Sequence, residues 1–431
     1  VITRFRARGY KSLADVDVSL ARLTVVFGPN AAGKSNLLDA LGLLGRLVTE
    51  DNLDDAFKAH RGAPLEAFTL PPGGTEALQR QPSARLWLSV DVRLSDSVVA
   101  AVQSEIEKRR AGLDAGKPPR RVPLERYLRY TVKVEIRTDS GHLLVMDERL
   151  EALSRDGSPK QSRAPFLEKL PDEDFIRLRH EGQGRPAQEE IGQDRTVVSK
   201  RLYAPHYPHV AALREEMASW RFYFLEPALM RQEVPLQEVE TLAANGSDLA
   251  AFYNSVRTRG SAAFHGYELA LRQVVRSADG LEVERTPQGT LRLVVHEGEV
   301  PLSSRLLSEG SLRVLGLLAI TNPLRPLSLV GYEEPENGIH ATRLAVVATM
   351  LLEAAEAGQT QFVLNTHSPV LPEHFQGHEQ TALLACRKSS GTTSFSAVAG
   401  GTLYAGTEVA DALIDDDTSS LAERLVRGDF A

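Results

Sequence analysis

A chain that contains Gly28-Pro29-Asn30-Ala31-Ala32-Gly33-Lys34-Ser35 is restricted to few folds. The pattern G-x-x-x-x-G-K-[ST] works only as a tight loop between a buried strand and a helix. Its flanks agree: Leu23-Thr24-Val25-Val26-Phe27 before the loop is apolar and β-branched, and Leu37-Leu38-Asp39-Ala40-Leu41 after it has helical spacing. Backbone N–H groups in such a loop and the helix N-terminus present partial positive charge to phosphate oxygens. Lys34 adds a full charge near a β- or γ-phosphate, the Ser35 hydroxyl can ligate Mg²⁺, and residues Asn30, Ala31, Ala32, Gly33 and Asn36 complete the cradle.

Length and composition limit the remainder. The 431 residues suit two domains, or one core with a large insertion, and 42% apolar with 25% charged residues is a globular composition. A single cysteine, Cys386, follows the apolar run Ala382-Leu383-Leu384-Ala385, so no intrachain disulfide can form and a buried strand thiol is expected. This fits a cytoplasmic protein. The chain opens on strand-like Val1-Ile2-Thr3-Arg4-Phe5, and no run reaches the roughly 18 apolar residues needed to cross a bilayer. We therefore expect no membrane partner. The net charge of −7 argues against indiscriminate nucleic-acid binding. Two local basic clusters keep DNA as a candidate partner: one around Lys108-Arg109-Arg110, Lys117, Arg120-Arg121, Arg126 and Arg129, the other at Arg177, Arg179, Arg185, Arg195, Lys200 and Arg201. Acidic residues interleave both, so an ordinary solvated surface is the competing reading.

Along the chain, residues 1–50 read as strands, loop and helix. The segments around 85–93 and 130–136 alternate apolar with polar and predict half-buried antiparallel strands, with a charged helix near 97–111 between them. Residues 154–200 are rich in charge, Gly and Pro with little periodicity and predict a flexible or poorly ordered insertion. One helical segment is expected over 246–276, short strands around 281–298, and a βαβ rhythm in the last third. The corresponding domain plan is an ATPase lobe at 1–50 and 84–150, an insertion or helical subdomain at 151–300, and a second lobe segment at 301–431.

Three short segments in the second half carry chemistry. In Leu327-Ser328-Leu329-Val330-Gly331-Tyr332-Glu333-Glu334-Pro335 an apolar strand ends in two carboxylates, suited to Mg²⁺ (Glu333) and to orienting a water (Glu334), although a charged turn would look similar. Leu307-Ser308-Glu309-Gly310-Ser311 starts an apolar helix with a hydroxyl and a glycine, as a phosphate site or a plain N-cap would. Phe362-Val363-Leu364-Asn365-Thr366-His367-Ser368-Pro369 delivers His367 at a strand tip.

Together these segments resemble the ATP-binding-cassette group of P-loop ATPases, in its RecF, SMC and OLD-like branch. Bacterial RecF-like AAA-family ATPases are the most similar. The resemblance rests on GPNAAGKSN at 28–36 as Walker A, LSEGS at 307–311 as signature, LSLVGYEEPENGIH at 327–340 as Walker B with D-loop, and NTHSP at 365–369 as switch. Arg8-Gly9-Tyr10-Lys11-Ser12-Leu13 and Asn245-Gly246-Ser247-Asp248-Leu249 add to it. It implies an α/β fold of ABC-type head, with a mixed central sheet, an antiparallel β subdomain and a helical or irregular insertion. It also implies ATP and Mg²⁺ as cofactors, Ser35 and Glu333 on the metal, and Lys34, Glu334 and His367 as catalytic residues. Ser308, Glu309 and Gly310 would act in trans on ATP held by a second copy, in a head-to-tail homodimer. The Walker B aspartate of the wider group is glutamate here. The Q-loop glutamine is not assigned among Gln79, Gln81 and Gln232, and Asp415-Asp416-Asp417 lacks the surroundings of a Toprim domain. An effector, nuclease or Toprim-like, is then expected on a separate protein.

The resemblance implies the sensor or regulatory core of a bacterial anti-phage defence system, with a DNA-clamping maintenance ATPase as the alternative. A transporter ATPase subunit fits less well, because roughly 274 residues separate Lys34 from Ser308.

Overall fold

Apolar side chains at Leu86, Leu88, Val90 and Val92 alternate with Trp87, Ser89 and Asp91, and the resulting strand buries one face fully. It lies in a computed structural model that describes residues 1–58, 62–111, 124–181, 185–358, 360–398 and 420–427. Lys117, Arg120 and Arg121 of the first basic cluster, and Asp415-Asp416-Asp417, lie outside the described residues. The chain divides into two units, one of residues 1–21, 31–220 and 386–395, the other of 22–30, 221–385 and 396–431. The boundary at 220–221 falls inside the stretch 151–300 that the sequence reading assigns to an insertion or helical subdomain.

The first unit is built on an eight-stranded sheet. Its strands are β1 (Ile2–Tyr10), β2 (Leu13–Ser19), β4 (Ser83–Arg93), β5 (Tyr127–Arg137), β6 (Leu143–Ala152), β7 (Leu167–Lys169), β8 (Phe175–Leu178) and β9 (Ala187–Glu190), in the order β2-β1-β4-β5-β6-β7-β8-β9. All neighbours are antiparallel. The longest pairing, β4 with β5, runs from Ser83↔Arg137 to Arg93↔Tyr127 and sets Leu88 opposite Val132 and Val90 opposite Tyr130. Gly9, at φ +73, permits the β1–β4 approach, since a Cβ there would lie 2.4 Å from the Arg85 carbonyl oxygen. The polar side of this sheet is laced with ion pairs. Asp91 is the centre, taking Arg6 through two bonds of 3.1 Å and Arg129 through bonds of 2.7 and 2.8 Å. Burial pushes the Asp91 carboxyl up, but the two guanidinium forks outweigh it and hold it below its usual range.

Residues 154–200 differ from the poorly ordered insertion read in the sequence. They contribute β7, β8 and β9, each only three or four residues long and partly exposed, which is too short for an alternation to register. The segment is also tied inward through Glu148 on β6. That carboxyl accepts the backbone N–H groups of Val197 and Val198 at 2.6 and 3.0 Å and the Tyr130 hydroxyl at 2.9 Å. Complete burial nevertheless raises Glu148 to about 7. Thr196 beside it donates to the Leu47 carbonyl, near the C-terminal end of helix Lys34–Thr49.

The second unit has a parallel centre. β3 (Leu23–Phe27), β15 (Leu329–Glu333), β16 (Gln361–Thr366) and β17 (Thr381–Ser389), of which residues 381–385 belong to this unit, take the order β15-β16-β3-β17, with β10 (Trp220–Tyr223) beyond β15. In-register pairs include Glu333↔Asn365 and Thr366↔Phe27, so the carboxyl ends of β15, β16 and β3 lie side by side. β3 and β16 are buried at every position, as strands covered on both faces must be. A smaller antiparallel sheet carries β11 (Val234–Pro235), β12 (Gly280–Arg285), β13 (Thr290–Glu297) and β14 (Val300–Ser303). The helix expected over 246–276 is two helices, Leu249–Arg259 and Ser261–Val274, broken at Gly260. Helices Glu309–Thr321 and Leu344–Glu356 pack their apolar faces into the core beside them. No described helix is long and apolar enough to cross a membrane.

Candidate functional site

The loop between β3 and helix Lys34–Thr49 has the backbone that its sequence requires. Gly28, Ala31 and Gly33 all have positive φ, at 145°, 61° and 102°, and Gly33 is the residue before the helix. Asn30 and Ala31 are exposed, Ser35 and Asn36 half-buried, and Ala32 and Lys34 buried.

Thr393, which sequence reasoning did not single out, and Ser12, read in the sequence only as part of a family-like segment, hold this loop from beneath. Thr393 Oγ1 donates to the Ala32 carbonyl at 2.7 Å, and Ser12 Oγ pairs with Thr393 Oγ1 at 2.7 Å. Asn36 Nδ2 donates to the same Ser12 oxygen at 2.7 Å. Lys11, itself at φ 44°, bonds Asp39 on the helix at 2.7 Å. The Lys11-Ser12 turn, read in the sequence only as a family-like feature, is thus a buttress of the loop. A Cβ on Gly33 would lie 2.1 Å from Thr393 Oγ1 and 2.8 Å from Ser12 Oγ. Left-handed strain of about 1–2 kcal/mol and overpacking of about 1–3 kcal/mol both act against Gly33→Ala. Nucleotide affinity, measured by titration with a fluorescent analogue, should fall about 10- to 100-fold; unchanged affinity would show that the loop's shape does not matter.

The second unit brings Glu333, Glu334 and His367 together. Glu333 is buried at the end of β15, opposite Asn365 on β16. The next residue, Glu334, adopts φ 50°, a left-handed conformation that costs a non-glycine residue about 1 kcal/mol or more. Asn365 holds it there, because the Glu334 N–H donates to the Asn365 backbone carbonyl at 3.0 Å and to its Oδ1 at 3.1 Å. The kink turns the Glu334 carboxylate so that Oε1 lies 3.1 Å from His367 Nε2, while Oε2 accepts from Asn337 Nδ2. An imidazole and an amide thus fix the two oxygens of the Glu334 carboxylate. Sequence reasoning named Glu334 and His367 as candidates but gave no role to Asn337 or Asn365.

Ser308 is the N-cap of helix Glu309–Thr321, its oxygen accepting from the Ser311 N–H at 3.1 Å. Ser308 and Glu309 are exposed, so capping leaves the hydroxyl at the surface. Gly310 serves a close backbone approach of its own. A Cβ there would be 2.4 Å from the carbonyl oxygen of Gly338, the residue four beyond Glu334, which has φ 70°. Further along the helix, Gly316 leaves room for Leu225 and Met230, which a Cβ would meet at 2.6 and 3.0 Å. Of the candidate glutamines, Gln79 ends helix Gly74–Gln79, Gln81 follows two residues later and lines the same cavity as Gln79, and Gln232 lies just after helix Pro227–Met230.

Among the described residues no three His, Cys, Asp or Glu side chains group as a metal site. Glu333 is a single buried carboxylate, and Mg²⁺ is generally held by one or two carboxylates together with substrate phosphates and water rather than by a protein cage.

A search of curated proteins gives no match. Among solved structures the chain is similar to an SMC head bound to the C-winged helix domain of ScpA, at 11% identity and TM-score 0.47 over 92% of this chain and 98% of that one. It is also similar to the SMC head domain from Thermotoga maritima (14%, TM-score 0.42, 92% and 98%). A third is the Pyrococcus furiosus Smc head with an extended coiled coil, bound to the C-terminal domain of ScpA (12%, TM-score 0.45, 92% and 96%). The family model described as "AAA domain, putative AbiEii toxin, Type IV TA system" matches residues 23–80 and 129–372, well over half of the chain. Those residues contain the phosphate loop, the Glu333-Glu334 strand end and His367, and the chain belongs to this AAA-domain family of P-loop proteins.

Proposed function

We propose that the chain is a Mg²⁺-dependent ATP hydrolase that works as a head-to-tail dimer, serving as the sensor or regulatory core of a bacterial anti-phage defence system with a separate effector. The observation that carries the hydrolase reading is the Glu334–His367 contact at 3.1 Å, formed where the chain accepts a strained backbone to make it. In this reading Lys34 and the N–H groups of the 30–36 loop hold the phosphates, and Ser35 and Glu333 hold the metal. Mg²⁺, when bound, neutralises charge on the transferring phosphoryl group. Glu334 takes up a proton from the attacking water, and His367 steadies the carboxylate and senses the γ-phosphate. A carboxylate fixed on a water suits hydrolysis better than transfer to a bound acceptor.

The family's association with toxin systems supports the defence role. Ion pairing weakens the alternative of a DNA clamp. Arg126, Arg129, Arg177, Arg195 and Lys200, drawn from both basic clusters, each meet a carboxylate. A phosphate backbone would have to displace those partners.

The trans arrangement is tested by mixing two inactive variants, Lys34→Ala and Ser308→Arg. Each alone has no complete site. In a one-to-one mixture half the dimers are mixed and each of these has one intact site, so about a quarter of wild-type activity should return. No rescue, with both variants folded, would overturn the sandwich.

A further inference from the structure

The turn after β15 contains a third acid to which neither the metal nor the base role applies. Glu336 Oε1 accepts three hydrogen bonds, from Thr366 Oγ1 at 2.6 Å, the His367 N–H at 2.9 Å and the Ser368 N–H at 3.1 Å. Its Oε2 is buried with no hydrogen-bond partner among the described residues. All three donors belong to the turn that presents His367. Bonds from N–H groups to a carboxylate are about twice as strong as neutral ones, so the turn is fastened chiefly through one oxygen.

Residues 334–338, the turn that carries Glu336, also reach the signature turn. Asn337 donates to Glu334, and the Gly338 carbonyl fills the space that a side chain on Gly310 would occupy. Positive φ at Glu334 and Gly338 gives the segment a fixed, tightly turned course.

We infer that Glu336 is a positioning residue which sets His367 against Glu334, and that residues 334–338 form one rigid piece joining the switch histidine to the Ser308–Gly310 turn. The inference rests on the hydrolase reading above for its consequence, though not for its geometry. If two copies close over ATP, a shift at the signature turn is transmitted through Gly338 and Glu336 to His367, making hydrolysis responsive to the partner's arrival.

Two measurements test it. In the nucleotide-free protein, Glu336→Ala should speed hydrogen exchange at the His367 and Ser368 amides about 100-fold, with Glu336→Gln, which keeps an acceptor oxygen, in between. Unchanged exchange at those amides overturns the inference whether or not the protein hydrolyses ATP. In steady-state kinetics, Glu336→Ala should lower kcat about 30-fold with KM for ATP within twofold. On a His367→Ala background the same change should cost less than twofold, because a residue that acts through another has nothing left to act on. Full multiplicative loss on that background also overturns it. A wild-type protein with no ATPase activity would sink the hydrolase reading alone, and the exchange result would then decide the role of Glu336.

Discussion

Glu334→Gln should abolish ATP turnover, by about 10²- to 10⁴-fold, as loss of a positioned base does, while ATP affinity stays within a few-fold of wild type. The substitution retains volume and an acceptor oxygen for Asn337, and the left-handed backbone at this position is held by Asn365 rather than by the carboxylate. Folding should therefore be spared. The proton-accepting oxygen that faces His367 is what disappears. If ATP glues two copies together and hydrolysis separates them, the variant should accumulate as a dimer when ATP is added, seen as a doubling of mass in solution. Loss of turnover without this doubling, at saturating ATP, would leave a hydrolase but remove the sandwich. Undiminished turnover would remove Glu334 as the base.

Asp91→Ala should give the largest loss of stability in the first unit. Its carboxylate is almost wholly buried and is shared by Arg6 and Arg129, themselves largely covered. Removing the shared partner leaves Arg129 without its paired carboxylate and Arg6 with only Asp17, 3.5 Å from its Nε, and breaking a buried pair in this way costs about 3–5 kcal/mol. The effect also has a defined pH dependence. The folded-state pKa of Asp91 lies below its usual 3.8. Its stabilisation is therefore fully present above the unfolded value and is lost as pH falls through the folded one. Urea denaturation at pH 7 should show the full difference between wild type and variant, and the gap should narrow at pH 3 and below. A gap that stayed constant with pH would mean that packing, not charge, is what Asp91 contributes.

The parts of this protein that were legible in its sequence are those written in contiguous residues. The 28–35 loop, the strand that ends in Glu333-Glu334, the serine cap at 308 and the strand that ends at His367 each carry their chemistry within about ten positions. The residues that sequence reasoning missed are partners across distance. Thr393 lies 361 positions from Ala32, whose carbonyl it grips. Glu336 lies 31 positions from His367, and its neighbours Glu333 and Glu334 offered a more familiar reading of the acids. Asn365 was visible as a strand residue, but its grip on Glu334 depends on the parallel register of β15 and β16. Short strands such as β7 to β9 escape for another reason: three or four residues are too few for an alternation that separates them from a loop.

The buttress under the phosphate loop gives the wild-type chain a built-in chemical reporter. Cys386, the only cysteine, is buried, with its Sγ 3.5 Å from the Ala32 carbonyl, and burial pushes its thiol up to about 12. At neutral pH an alkylating reagent can modify it only when the hairpin beneath the loop opens. The labelling rate of the unmodified protein is therefore a clock for the breathing of the Gly33 loop, and any ligand that steadies the loop will slow that clock without the protein being altered.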